Sequence, residues 1–187
     1  MRGKQIMIYL ITGPSHAGKT LLAQKLLERF KVPYLCIDHL KMGLIRTGKT
    51  ELTVEDDKKL TGYLWPIVRE MIKTAIENKQ NLIVEGCYVP FDWQKDFDED
   101  YLKEIKFACL AMTDEYIQKH FKDIIKHESE IEKRLFDSDL TIKKIQADNH
   151  FFINGFTQTG QNVFLISSDY KKEFKNILKT FNYSYSP

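Results

Sequence analysis

The sequence predicts a doubly wound α/β domain, a parallel sheet with helices on both faces. Short, almost wholly apolar runs alternate with longer stretches whose apolar residues recur at helical spacing. The runs lack the in-out alternation of a half-exposed antiparallel strand, as befits strands covered on both faces. A glycine-rich segment joins the first run to the first helical stripe, the place where such sheets gather phosphate groups.

Each element follows from its own residues. Ile6–Ile11 is the first strand, and Leu21, Leu22, Leu26, Leu27 and Phe30 stripe the helix after it. Pro33–Ile37 is the second strand. Thr53 is the expected cap of a long helix, with Asp56 at its third position and an apolar stripe from Leu60 to Ile76. Pro66 lies deep within that stripe and cannot donate to the Gly62 carbonyl, so the helix is expected to kink or split there. Asn81–Glu85 and Ile105–Met112 are the third and fourth strands. Ile117, Phe121, Ile124, Ile131 and Leu135 form a weaker stripe, and Ile142, Ile145, Phe152, Ile153 and Phe156 a stronger one. Asn162–Ile166 is the fifth strand, and Phe174, Ile177, Leu178 and Phe181 belong to a closing helix. Between the fourth and fifth strands the segment Asp114–Asp139 is dense in charge and interrupts the rhythm, so an inserted lid is expected there.

Composition narrows the function classes. A chain of 187 residues is one domain's worth, 43% hydrophobic and 29% charged, which excludes a disordered chain. Its 28 basic and 26 acidic residues leave a net charge of +2, too balanced for a protein that coats nucleic acid. Cys36, Cys87 and Cys109 are far apart in apolar runs, with no C-x-x-C pair, and read as buried thiols in a reducing compartment. No apolar run approaches the roughly 20 residues of a membrane span. Arg2 and Lys4 precede Ile6–Ile11, but that run is shorter than a secretory core and lacks a small-residue cleavage site, so a cytoplasmic protein is expected. His120, His127 and His150 show no metal-ligand spacing.

The chemistry concentrates in Gly13-Pro14-Ser15-His16-Ala17-Gly18-Lys19-Thr20, which fits G-x-x-x-x-G-K-[ST] at every fixed position. It follows a strand and opens a helix, the context the motif requires. Glycines let the backbone curl so that successive N–H groups, those of Ser15, His16, Ala17 and Gly18 among them, converge on phosphate oxygens. The helix N-terminus adds its positive end. Lys19 would reach the β- and γ-phosphates of a nucleotide, and the Thr20 hydroxyl would ligate Mg²⁺. The His16 imidazole is expected to point away, its backbone N–H mattering more.

Two strand-end acids accompany the loop. Asp38 closes the second strand, where it would orient or deprotonate an acceptor hydroxyl or hold water on Mg²⁺; it could equally cap a helix starting at His39. Glu85 closes the third apolar run, a Walker-B-like position for a Mg²⁺ ligand. Asp38, Lys41, Arg46, Arg69, Glu85 and Tyr88 are the candidate acceptor contacts. Arg46, Arg69 and Arg134 matter because only five basic residues are arginine and a guanidinium grips phosphate or carboxylate bidentately. Arg134 falls late in the expected lid, where it could stabilise transferring charge. No N-K-x-D sequence argues for a guanine-reading switch.

With these residues the chain resembles the P-loop small-molecule kinases, the superfamily of nucleoside monophosphate, shikimate, gluconate and zeta-toxin-type kinases. Residues 37–44 and 84–90 look more specifically like bacterial proteins of 2-phosphoglycerate kinase-like, adenylate kinase-like or zeta-toxin-like type. The resemblance implies a three-layer fold with five parallel strands in the order 2-3-1-4-5, an acceptor-binding region at about residues 38–66 and a helical lid at about 113–140. It also implies ATP and Mg²⁺ as cofactors and phosphoryl transfer to the hydroxyl of a small acceptor, with no nucleic-acid or membrane partner. Asp38 would match the acid that contacts the acceptor hydroxyl, Glu85 the strand-three acid and Arg134 a lid arginine; Ser167, Ser168 and Asp169 would border adenine. Nucleoside monophosphate kinases carry acid-Gly-x-Pro-Arg after strand three, whereas here Pro90 precedes Phe91, which favours a small hydroxylated or phosphorylated metabolite over a nucleotide acceptor. The other functional classes are a nucleotide-binding regulator and an NTP hydrolase or switch.

Overall fold

The computed structural model describes residues 7–126 and 140–181. Five strands form one parallel sheet: β1 (Ile8–Thr12), β2 (Tyr34–Cys36), β3 (Leu82–Glu85), β4 (Ile105–Met112) and β5 (Val163–Ile166), in the order β2-β3-β1-β4-β5. Seven helices are described: α1 (Lys19–Phe30), α2 (Ile37–Arg46), α3 (Asp57–Glu77), α4 (Glu99–Leu102), α5 (Asp114–Lys126), α6 (Ile142–Gln158) and α7 (Tyr170–Thr180), with a 3-10 turn at Trp93–Asp96. The fold class and strand order are those expected from the sequence.

Pleating of β1 sorts the core into two layers. Ile8 and Leu10 pack with Leu60, Leu64, Val68, Ile72, Phe152 and Phe156 of α3 and α6. Tyr9 and Ile11 turn to the other face, against Leu22 and Leu26 of α1 and Phe174 and Ile177 of α7. Every residue of β1 is fully buried, as the central strand of a doubly wound sheet must be. At the edge, Leu165 of β5 is 45% exposed, so there the apolar run marks a strand covered on one face only. A third cluster, with Tyr116 and Ile117 of α5, Ile145 of α6 and Ile166 of β5, packs beyond the ends of β4 and β5.

Two local expectations are corrected. The helix stripe starts later than Thr53: Asp56 occupies the cap position, and Thr53 N–H and Oγ1–H donate to its carboxylate at 3.0 and 3.1 Å. The polar pair thus forms a turn before the helix. Helix α3 also runs unbroken through Pro66. Pro66 and Gly62 are both on its exposed side, so water can take up the Gly62 carbonyl that the proline leaves without an amide donor. The break appears in α5 instead, where His120 leaves helical geometry (φ −112°, ψ 16°). No helix among the described residues is long and apolar enough to cross a membrane.

Candidate active site

Parallel strands deliver their C-terminal ends to one rim of the sheet, and the sequence places a polar residue at three of them: Thr12, Cys36-Ile37-Asp38 and Glu85. The loop of residues 13–18 leaves β1 and enters α1 with Gly18 in the cap position. Its glycines are spatially required. A Cβ on Gly13 (φ +140°) would lie 2.1 Å from the Leu110 carbonyl oxygen, and one on Gly18 (φ +89°) 2.1 Å from the Tyr170 hydroxyl. Between them His16 adopts φ +67°, so the loop curls through left-handed geometry. Lys19, buried in the first turn of α1, donates from Nζ to the Pro14 carbonyl at 2.8 Å and spans the loop from inside. Thr20 follows on the same turn, half-buried. A loop curled by glycines packed against β4 and α7, with a lysine spanning it from inside, suits the phosphates of a nucleotide.

A polar relay borders the loop. Helix α2 begins at Ile37, which sets Asp38 within its first turn rather than before it. Asp38 and Lys41 are one turn apart, and Lys41 Nζ lies 2.5 Å from Asp38 Oδ1. The same ammonium donates to the Tyr88 hydroxyl at 2.8 Å and sits 4.9 Å from that ring's centroid. Tyr88 in turn donates to Asp57 Oδ1 at 3.0 Å. Four side chains from α2, α3 and the segment after β3 therefore form one chain of charge-assisted bonds. Burial raises the Tyr88 pKa well above the usual phenol range, helped by Cys87, Asp57 and Asp38, so the ring stays neutral and can donate.

Cys87 ties the relay to the loop. Burial pushes its thiol up to about 11, and the charges acting on it are Lys19, Asp38, Lys41 and Asp57, in that order. Lys19 of the loop and the charges of the relay are thus all felt at one side chain. Glu85, only 1% exposed, sits level with Ile11 of β1 and Cys36 of β2. Among the described residues no three His, Cys, Asp or Glu side chains form a ready-made metal cage.

The remaining sequence candidates are placed less centrally. Arg46 is exposed at the end of α2, eight residues and about 12 Å of helical rise beyond Asp38. Arg69 is not brought to the site: it pairs with Glu70 at 2.7 Å and lies 3.7 Å from Asp96, about 18 Å of rise along α3 from Asp57. Of the lid expected at about residues 113–140, residues 127–139 with Arg134 lie outside the described residues. Ser167 and Ser168 bond the Glu173 carboxylate, with Ser168 N–H donating at 3.4 Å and its hydroxyl at 3.3 Å. Sequence reasoning missed Asp57, Cys87 and Tyr170. Asp57 is one of several acids near the start of α3, and only folding brings it to Tyr88, 31 positions away.

No protein-family model matches the chain. Among solved structures, a sugar kinase from Janibacter sp. HTCC2649 superposes with a TM-score of 0.56 at 11% identity, covering 93% of each chain. Shikimate kinase from Bacteroides thetaiotaomicron gives a TM-score of 0.52 at 14% identity, covering 93% of this chain and 97% of its own. The fold is that of the P-loop kinases. By sequence, adenylate kinase from Rickettsia africae is 29% identical over 118 residues, and that from Rickettsia rickettsii (strain Sheila Smith) is 28% identical over 119. Each match covers 60% of this chain and 56% of the relative, so the chain spans about half the length of the curated relatives it matches. The resemblance to P-loop kinases read from residues 13–20 agrees with both comparisons.

Proposed function

We propose that the protein is an ATP- and Mg²⁺-dependent phosphotransferase acting on the hydroxyl of a small molecule bound between α2, the start of α3 and the segment after β3. The observation that carries this reading is the relay of Asp38, Lys41, Tyr88 and Asp57 at the carboxyl ends of β2 and β3, the strands next to β1 and the loop that follows it. A hydrolase or switch has no need of an organised acceptor pocket there.

Bound ATP with Mg²⁺ supplies the γ-phosphoryl group. Loop amides and Lys19 hold its phosphates, with Thr20 and Glu85 on the metal side. Asp38 is steadied by Lys41, accepts the acceptor hydroxyl's hydrogen bond and takes its proton as transfer proceeds. Tyr88 fixes Lys41 in place and is itself fixed by Asp57.

The test is ADP release from ATP·Mg²⁺ against a panel of small acceptors. Acceptor-dependent release that disappears in Lys19→Ala, and in an Asp38→Ala variant that still binds nucleotide, is the expected result. No stimulation by any acceptor, with ATP binding intact, would turn the reading toward a nucleotide-binding regulator.

A further inference from the structure

We propose that a cleft at the N-terminal ends of β2 and β3 binds an amphipathic monoanion, an apolar body carrying one acidic group. Pro33 before β2 and Leu82 at the start of β3 line this cleft, whereas the phosphate loop follows the end of β1. It therefore lies at the opposite rim of the sheet, and the assignment stands apart from the kinase reading. The cleft measures about 950 Å³ between the end of α1, the second half of α3 and the turn before β3. That is the size of a small-molecule site. Of its apolar lining, Val32 and Ala75 are buried and Phe30, Ile67 and Leu82 half-buried. Met71, one of four large apolar side chains left exposed among the described residues, lines it too.

Charge sets the class of ligand. Lys31 and Lys79 line the cleft from just past the ends of α1 and α3, and both are exposed. Neither forms an ion pair among the described residues: Glu28, which feels Lys31, is held by Lys25 at 2.8 Å. Glu70, the acid in the lining, is held by Arg69 at 2.7 Å, with Lys73 at 3.6 Å. The cleft thus offers apolar surface beside two unneutralised ammonium groups, which complements an acid with an apolar body and disfavours a cation.

The backbone at these two lysines is an independent observation. Three non-glycine residues take positive φ among the described ones: His16 in the phosphate loop, and Lys31 and Lys79, both at +55° and both in this cleft. At the same left-handed turn after α2 and after α6 the chain places glycine, Gly48 at +65° and Gly160 at +74°. Lysine there is strained where glycine is not, and such strain recurs where ligands are held. Two ammonium groups kept in strained turns beside one apolar cleft point to a shared anion.

The probe is 8-anilinonaphthalene-1-sulfonate, compared with N-phenyl-1-naphthylamine, the same skeleton without the sulfonate. Fluorescence titration of the folded protein at low salt is expected to show one saturable site that prefers the sulfonate about tenfold, a preference that shrinks in high salt. Lys31→Gly with Lys79→Gly removes both charges and seats glycine where φ is positive, so the fold is kept. This variant should lose the tenfold preference while its affinity for the neutral probe stays within about twofold. Lys31→Arg with Lys79→Arg keeps both charges and should keep the preference. Thr74→Trp, which adds an indole to the lining from an exposed position on α3, should weaken both probes at least about tenfold. Saturating ATP·Mg²⁺ should displace neither probe, because α1 separates the cleft from Lys19 by about 18 Å of helical rise. Absence of saturable binding, equal affinity for the two probes, displacement by ATP, or affinities unmoved by the variants overturns the site. So does a dimer in sedimentation that Thr74→Trp dissociates, since the cleft then belongs to a second copy of the chain.

Discussion

Replacing Gly18 by alanine tests how the phosphate loop is held against the rest of the fold. Two costs can be separated from the geometry. At φ +89° an alanine is strained by about 1–3 kcal/mol whatever surrounds it. Its Cβ would also sit 2.1 Å from the Tyr170 hydroxyl, well over an ångström inside contact distance. Tyr170 cannot swing away freely, because its ring stacks on Phe174 with centroids 5.4 Å apart and an interplanar angle of 20°. Overpacking of this kind costs about 1–3 kcal/mol. Phenylalanine at position 170 removes the clashing oxygen and leaves Cζ at 3.3 Å, a tight but tolerable approach. Gly18→Ala should therefore lower stability by about 2–6 kcal/mol in the parent and by about 1–3 kcal/mol in a Tyr170→Phe background, a coupling of about 1–3 kcal/mol. Urea unfolding of the four proteins of the cycle measures it. Equal losses in both backgrounds would refute the contact between α7 and the loop and leave backbone strain as the whole effect.

Three further outcomes are expected. Asn149 is fully buried, accepts from Met112 N–H at 2.7 Å and donates to the Ile145 carbonyl at 2.8 Å, so Asn149→Leu orphans a strand amide and should cost about 1–3 kcal/mol by denaturant titration. Burial pushes the Cys87 and Cys109 thiols up to about 11 and about 12, above their unfolded values. Their contribution to stability is then complete below the unfolded thiol pKa of about 8.5 and is lost as pH rises through 11 to 12; Cys109→Ala should flatten that alkaline decline, and an unchanged slope would show the thiol is not the cause. Tyr88→Phe cuts Lys41 off from Asp57, and under the proposed function should reduce phosphoryl transfer about tenfold while leaving nucleotide affinity within twofold by direct titration.

Much of this architecture was legible because its signals are local. The strand and helix order followed from apolar periodicity, and residues 13–20 carry their own backbone requirement, a glycine at each place where a Cβ cannot go. The strand-end positions of Glu85 and, at the start of α2, Asp38 followed from the same runs. Local reading failed where water or a competing side-chain bond decided the outcome: Pro66 is tolerated because its turn faces solvent, and Thr53 bonds Asp56 before the helix begins. The grouping of Lys41, Tyr88 and Asp57, and the diversion of Arg69 to Asp96, came from packing alone. A strand's burial and a loop's left-handed turns are written into the residues that form them, whereas a charge's partners depend on which helix faces meet across the sheet. Local residue patterns were enough for the strand order and the glycine-bounded loop after β1, whereas the pairing of Tyr88 with Asp57, 31 positions apart, was settled by how α3 packs against the segment after β3.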